Sequence, residues 1–482
     1  MAATNGGGGE GPERAGVPPG MAENVIPLRS EPVPAYELPE FMPTTESVAA
    51  EFAKRHRDEL RYVQGFGSWM HFAAGHWQMD RTGRAVDLAG ALCRDIAMKR
   101  PKERKRVEMW GFVSGIEVRA RAMKRLAADV DVWDTNVRIL NCPGGTVELD
   151  TGEVRPHRRL DYCSKCTAAT PAPVDAAACP LWMRFLERIT GGNADLQAFL
   201  QRMFGYCLTG LTIEQALFFL YGTGQNGKGV FLQTLAAIMH DYAQTAAIET
   251  FVAGQFEHHP EELAVLRGAR LVTAVETEQG KSWSESKVKV LTGGDKIRAR
   301  FMRADSFEYQ PQFKLAIAGN HKPALRSIDK AIKRRMHLLP FLVTIPDDER
   351  DDTLGEQLRH EWPGILRWGI DGAMSWMVQG LDPPAVVRDA TTEYLESEDE
   401  LANWIADECR DDPQAFTATS ALYASWRRWA EDRGEYIGSM RAFAQGVQRK
   451  GYVSMRTMTA RGFRGIALKP LTATTQVEMD HM

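Results

Sequence analysis

ALFFLYGTGQNGKGVFLQTL, residues 216–235, is the stretch that fixes the fold class of this chain. Residues 216–221 are apolar throughout, as in a short strand buried on both faces. The next eight residues are Gly222, Thr223, Gly224, Gln225, Asn226, Gly227, Lys228 and Gly229, and they have the GxxxxGK spacing. Residues 230–235 then follow a helical pattern. In the order strand, glycine-rich loop, helix, backbone N–H groups and a helix N-terminus can cradle the oxygens of a triphosphate. Lys228 would reach the β- and γ-phosphates, which makes the segment a candidate P-loop for ATP. A hydroxyl residue ordinarily follows that lysine and holds Mg2+. Gly229 stands there instead, so a metal would have to lean on water, phosphates and acidic side chains.

Further along, RLVTAVETE (270–278) reads as a second buried strand ending in two acids. Glu276 and Glu278 fall on one side of that strand because its side chains alternate with period two. One acid can organise Mg2+, with Glu276 as the metal candidate, and the other can orient water. A third strand, FKLAIAGN (313–320), puts Asn320 at its tip, where an amide can contact a γ-phosphate or the attacking water. Between these strands, LTGGDKIRARFMR (291–303) reads as one arm of a hairpin. It carries Arg298, Arg300 and Arg303 with Phe301 interleaved, a composition suited to single-strand contact and stacking. Downstream, Arg334 and Arg335 in SIDKAIKRR (327–335) are an arginine-finger pair, either of which could stabilise transferring phosphoryl charge.

Outward from this core the patterns change. Residues 1–44 are rich in Gly, Pro, Glu and Ala and predict a disordered arm. Residues 46–127 look helical and charged, with a turn at 80–83 between short apolar segments. KRPKERKR (99–106) could touch phosphates or form a solvated helix face. Residues 137–149 read as strand, turn, strand, and 181–208 as helical. Cys163 and Cys166 form a CxxC, but Cys142 and Cys179 are irregularly spaced and no second CxxC exists, so zinc is not expected. Near the C-terminus, helices over 419–431 and 439–450 and a hairpin over 452–468 make a winged-helix-like arrangement. Between Tyr436 and Lys469 there are seven basic residues and no acid, which suits phosphate contact.

Taken together, GTGQNGKG (222–229), VETEQG (275–280), LTGGDKIRARF (291–301), FKLAIAGNHKP (313–323) and DKAIKRR (329–335) resemble the superfamily-3 helicase domain. The resemblance is closest to the helicase half of phage- and plasmid-type DNA primase–helicases, the group that includes the poxvirus primase-helicase. ILNCPGGTVELDTG (139–152) and LQRMFGYCLTG (200–210) resemble the domain that precedes it in that family. The resemblance implies an AAA+-like α/β ATPase core at 201–345, after a mainly helical domain at 45–200. A helical connector (346–400), a winged-helix-like module (401–472) and a tail (473–482) follow. It implies ATP and Mg2+ as cofactors, a homo-oligomeric, hexameric ring and 3′→5′ movement on single-stranded or forked DNA. It assigns Lys289 and Lys296, with the hairpin arginines, to a DNA-contacting region. It leaves no room for a primase domain, so any primase would be a separate partner. A nucleotide-gated initiator that assembles on DNA without unwinding is the alternative, and a packaging or transport motor is a third option.

The composition agrees with a globular chain. The protein has 482 residues, 44% hydrophobic and 25% charged, with net charge −4. That excludes a wholly disordered, collagenous or disulfide-scaffold protein. No apolar run reaches membrane-spanning length, and no basic start precedes an apolar stretch. The expectation is no membrane partner and a cytoplasmic protein, in a bacterial host if phage-encoded.

Overall fold

The computed structural model describes residues 42–470 apart from 254–259, 277–281, 301–305, 326–328, 434–436 and 458–459. It divides into two compact units. One takes in residues up to Ala53 together with Val86–Ala120; the other takes in Lys54–Ala85 and the chain from Arg121 onward.

The first unit is helical, built from α1 (Thr45–His56), α2 (Arg84–Lys99), α3 (Arg104–Val107) and α4 (Trp110–Arg121), of which α1, α2 and α4 run on past the boundary at one end. Val48, Ala49 and Phe52 are buried on α1, Leu92 and Ile96 on α2, and Val113, Ile116 and Ala120 on α4. These are the three-to-four spacings of an apolar helix face. Arg119 of α4 pairs with Glu46 of α1 at 2.5 Å.

The second unit opens with two small sheets. β1 (Leu60–Val63), β2 (Ser68–Ala73), β3 (His76–Met79) and β4 (Ala127–Ala128) form one, in the order β3-β2-β1-β4. β5 (Ile139–Cys142), β6 (Gly145–Glu148) and β7 (Glu153–Arg155) form an antiparallel second. The region expected to be mainly helical thus also carries seven short strands. The segments between Gly67 and Gly75, both at positive φ, are too short to show a period in sequence. The tight turn falls at Ala74-Gly75, while Asp80 instead accepts the amides of Thr82 and Ala85 where the chain enters α2. The helical run at 181–208 is two helices, α5 (Pro180–Thr190) and α6 (Ala194–Leu208). They are divided by left-handed Gly191 and by Asn193, whose side chain caps Leu196 N at 2.9 Å.

A five-stranded sheet organises the rest. Its elements are β8 (Leu217–Tyr221), α7 (Lys228–Met239), β9 (Ala243–Thr245), α8 (Pro260–Ala264), β10 (Leu271–Glu276), α9 (Glu285–Gly293), β11 (Ile297–Ala299), β12 (Phe307–Tyr309), β13 (Lys314–Gly319), α10 (Lys330–Lys333) and β14 (Met336–Pro340). The order is β14-β8-β13-β10-β9 with every neighbour parallel, and β11–β12 stands apart as a hairpin. Phe218, Leu220, Ala316 and Ala318 enter one core with Phe231 and Leu235 of α7. Phe219, Leu315, Ile317 and Ala274 enter another with Leu291 of α9. Both faces are dry, which explains the unbroken apolar runs.

Two cations are sealed where β10 and β13 begin. Arg270 donates to the carbonyls of Ile139 (2.8 Å), Leu208 (2.7 Å) and Asn136 (3.3 Å), and lies 4.5 Å from the Tyr242 ring centre. Lys314 donates to the carbonyls of Thr209, Leu211 and Gln312 and lies 4.7 Å from the Tyr206 ring centre. Complete burial pushes the Lys314 ammonium down to about 7. Several of these carbonyls belong to or follow the C-terminal end of α6, where helix polarity favours a positive charge.

Beyond the sheet lie α11 (Leu354–Gln357), α12 (Trp362–Gln379) and α13 (Ala385–Ser397). α12 packs backbone to backbone on α6. A Cβ on Gly205 would sit 2.0 Å from Ala373 N, and one on Gly372 would sit 2.1 Å from Gln201 O. The chain closes with α14 (Glu400–Glu408), β15 (Cys409–Ala418), α15 (Thr419–Arg433), α16 (Met440–Arg449), β16 (Val453–Arg456) and β17 (Arg461–Leu468). Both expected helices and the expected hairpin are present, around Trp404, Trp426, Phe443 and Ile466. β15 was not anticipated. It contains Asp411, Asp412 and Pro413, which disfavour a strand, and a bulge between Asp412 and Phe416 absorbs them. Among the described residues, no helix is long and apolar enough to cross a membrane.

Candidate nucleotide site

The register of the sheet brings three strand tips level. Gly319, the last residue of β13, lies opposite Tyr221 of β8 on one side and Glu276 of β10 on the other. The carboxyl edge of a parallel sheet is where ligands bind in open α/β folds.

The glycine loop leaves from Tyr221. A Cβ on Gly222 would lie 2.1 Å from both Asn226 Nδ2 and Phe341 O, so no larger residue fits. Gly227 has φ 79° and leaves only 2.5 Å between a Cβ and Ile189 of α5. The segment after β14 backs the loop. Asn226 Nδ2 donates to Phe341 O at 2.8 Å, Ile345 N donates to Gln225 O at 2.8 Å, and Gln225 Nε2 donates to Asp347 at 2.9 Å. Gln225 and Thr223 remain exposed, Gly224 has φ 102°, and a Cβ on Gly229 would meet nothing within 4 Å.

Lys228 starts α7 and is 6% exposed. Its ammonium donates to Gly222 O at 2.9 Å, Asn226 Oδ1 at 2.9 Å and Asn320 Oδ1 at 3.3 Å. The loop lysine and the strand-tip amide therefore touch. All three partners are neutral oxygens, and among the described residues no carboxylate pairs with Lys228. Burial lowers its pKa. The close-packed loop and a buried cation without its own anion fit a phosphate group.

The remaining expected residues separate. Glu276 ends β10 beside Gly319, while Glu278 and Arg303 lie outside the described residues. Arg335 is 6% exposed and built into the fold, donating to Thr292 Oγ1 at 3.1 Å and Ala331 O at 2.8 Å. Of the two finger candidates, this is the one whose guanidinium joins α9 to α10. Arg334 is exposed and donates to Gln215 Oε1 at 2.8 Å. Lys289, expected in a DNA-contacting region, pairs at 2.5 Å with Asp329, which caps α10 through Ala331 N and Ile332 N. Arg298 bonds Ser306 across the hairpin at 3.0 Å, and Arg300 is exposed. Lys296 is exposed at the rim of a cavity of about 740 Å³ that Trp133, Arg267 and Tyr309 also line.

Sequence reasoning missed the residues that hold the loop after Asn320. Lys322 Nζ lies 4.2 Å from the Tyr221 ring centre. From α13, Tyr394 Oη donates to Pro323 O and accepts from Trp283 Nε1 at 3.1 Å, while Glu398, the residue that ends the helix, accepts Leu325 N at 2.9 Å. Only the polar HKP following Gly319-Asn320 could have signalled this loop; nothing in the α13 sequence singles out Tyr394.

In the C-terminal module, Arg441, Arg456 and Arg461 are exposed without partners among the described residues. Lys450 pairs with Asp399, Arg464 bonds Pro413 O and Gln414, and Lys469 bonds Ala406 O. β15 brings Asp411 and Asp412 alongside, so the local positive charge is smaller than the sequence window suggests.

This geometry defines a mixed α/β protein with a parallel sheet and a glycine loop at its carboxyl edge. Residues 49–191 match the family model described as D5 N terminal like, and residues 220–335 match a family of unknown function, DUF5906. The chain is 24% identical over 319 residues to "Putative helicase L207/L206" of Acanthamoeba polyphaga mimivirus, covering 61% of this chain and 33% of that protein. It is 23% identical over 239 residues to "Putative helicase 022R" of Frog virus 3 (isolate Goorha), covering 45% of this chain and 24% of that one. The chain thus spans a third or less of the curated relatives it matches. Two solved structures of the apo NrS-1 C terminal region align at 8% identity. One has TM-score 0.46, covering 85% of this chain and 96% of that one; the other has 0.48, covering 89% and 100%. On these matches, the chain is similar to D5-like proteins and to viral proteins named as helicases.

Proposed function

We propose that the chain is an ATP-driven DNA helicase working as a homo-oligomeric ring with 3′→5′ movement. The carrying observation is the buried Lys228 ammonium, held by three neutral oxygens where β8 and β13 end. A γ-phosphate would replace those oxygens and supply the missing anion. Asn320, already touching Lys228, would then be freed to contact the phosphate or orient the attacking water. Glu276 and Glu278 would handle Mg2+ and water. Mg2+, when bound, would neutralise charge on the phosphates, and with Gly229 in place of a hydroxyl its protein ligand would be an acid. Arg334, exposed and lightly held, would reach a neighbouring subunit's nucleotide. Winged-helix order in the C-terminal module (α14, β15, α15, α16, β16, β17) and the exposed Arg441, Arg456 and Arg461 support DNA contact there.

The test is ATP hydrolysis with and without single-stranded DNA for the wild type and Lys228→Ala. DNA-stimulated hydrolysis confined to the wild type is expected, and equal rates in both would sink the assignment. Gly229 favours one second reading, a nucleotide-gated initiator. Strand displacement on forked substrates separates the two, because ATP-dependent assembly without unwinding belongs to the initiator.

A further inference from the structure

The nucleotide site leaves one charged stretch unused, in the helical unit between the end of α2 and the start of α4. From Met98 to Trp110 there are six Lys or Arg and two Glu. Both acids are already paired, Glu103 with Arg106 at 2.9 Å and Glu108 with Arg104 at 3.0 Å. Lys99, Lys102 and Lys105 are exposed and have no hydrogen bond or ion pair among the described residues. The same stretch exposes Met98 at 74%, Met109 at 61% and Trp110 at 73%. An indole left this open forgoes a large burial gain. α4 buries Val113, Ile116 and Ala120 instead. Free cations and an open aromatic ring within one exposed stretch of twelve residues, 99–110, favour an extended polyanion with flat, stackable groups over an apolar partner.

We propose that this face binds a single-stranded polynucleotide, with Trp110 stacking on a base and Lys99, Lys102 and Lys105 contacting phosphates. The inference rests on the DNA-motor reading for its partner class, but uses no residue of the nucleotide site.

The experiment is fluorescence anisotropy of a labelled oligo(dT) titrated with the full chain, without nucleotide, over a range of NaCl. Trp110→Ala should raise Kd about 5- to 150-fold, the effect of losing roughly 1–3 kcal/mol of stacking. Replacing Lys99, Lys102 and Lys105 together by Gln should reduce the slope of log K against log salt by about 2, at about 0.7 per phosphate on a single strand. Thermal midpoints close to wild type would confirm that both variants fold. Unchanged Kd and slope would overturn the proposal. So would altered sizing of Trp110→Ala with oligo(dT) affinity intact, because the face would then join copies of this chain. If Lys228→Ala hydrolyses ATP like wild type while Trp110→Ala still loses oligo(dT), the motor reading falls and this one stands.

Discussion

A buried lysine is found near each end of β13, and the two are held differently. Lys314, at the first residue, is enclosed by three backbone carbonyls and a tyrosine ring. Lys228, beyond the last residue, is held by one carbonyl and by the side-chain amides of Asn226 and Asn320. Neither has a carboxylate partner among the described residues. Burial of charge therefore does not distinguish a working residue from a structural one. The difference is whether the partners can leave. Backbone carbonyls in a packed core cannot; the Asn320 amide, at 3.3 Å on a strand tip, can.

The comparison predicts a severe effect at one end. Lys228→Ala should cut ATP hydrolysis by roughly two orders of magnitude or more while the thermal midpoint holds, because removing a buried unpaired cation costs the fold little. Hydrolysis rates and a melting curve together check this. A collapse of the fold instead would put Lys228 in the same class as Lys314.

Adjacent arginines repeat the contrast. Arg334→Ala should lower hydrolysis by roughly a thousandfold without changing stability, the effect of losing an arginine finger. Arg335→Ala should do the reverse, destabilising by about 1–3 kcal/mol because its bond to Thr292 is buried and its bond to Ala331 half-buried. Denaturant midpoints beside steady-state rates decide, and interchanged outcomes would break the assignment of roles.

Lys314 gives a pH signature. Its folded-state value is near 7, against 10.5 for an unperturbed lysine. Between those values the unfolded chain holds the proton and the folded chain has released it. Stability should therefore rise with pH across that window, by up to about 1.4 kcal/mol per unit. Below pH 7 the contribution is flat. Lys314→Met should abolish the rise in urea titrations at stepped pH, and a slope kept by the variant would exclude Lys314 as its source.

The smallest change is expected at Gly229→Ser. A Cβ there meets nothing within 4 Å, so stability should move by no more than about 0.5 kcal/mol. Mg2+ titration of hydrolysis should shift to lower metal concentration as the hydroxyl becomes available. No shift would mean that the acids alone set metal affinity.

The central sheet was legible because β8, β10 and β13 are buried on both faces, so their apolar runs end abruptly at Gly222, Glu276 and Asn320. The meeting of Lys228 with Asn320 was implicit in that ordering, although 92 residues separate them. Lys289, Arg335 and the clasp from Tyr394 were not legible. Whether a basic residue faces solvent or an internal oxygen depends on Asp329, Thr292 and Pro323, neighbours supplied only by the fold. β15 was missed for a related reason: its acids and proline suit a turn, and its pairing with β17 outweighs them. The same pairing sets acids beside a segment whose own sequence is purely basic.

One helix ties these parts together. α13 holds the loop after Asn320 through Tyr394 and Glu398, and holds β14 through Thr391, which accepts Leu338 N at 2.9 Å. Just past its end, Asp399 caps α14 and pairs with Lys450 at the end of α16. Tyr394, Glu398 and Asp399 cluster at one end of α13, so a displacement of Asn320 from Lys228 would pull on the anchored loop and load the same junction that meets the C-terminal module. In mechanical terms the end of α13 is a shared pivot, tied on one side to the loop that follows Asn320 and on the other to the C-terminal module.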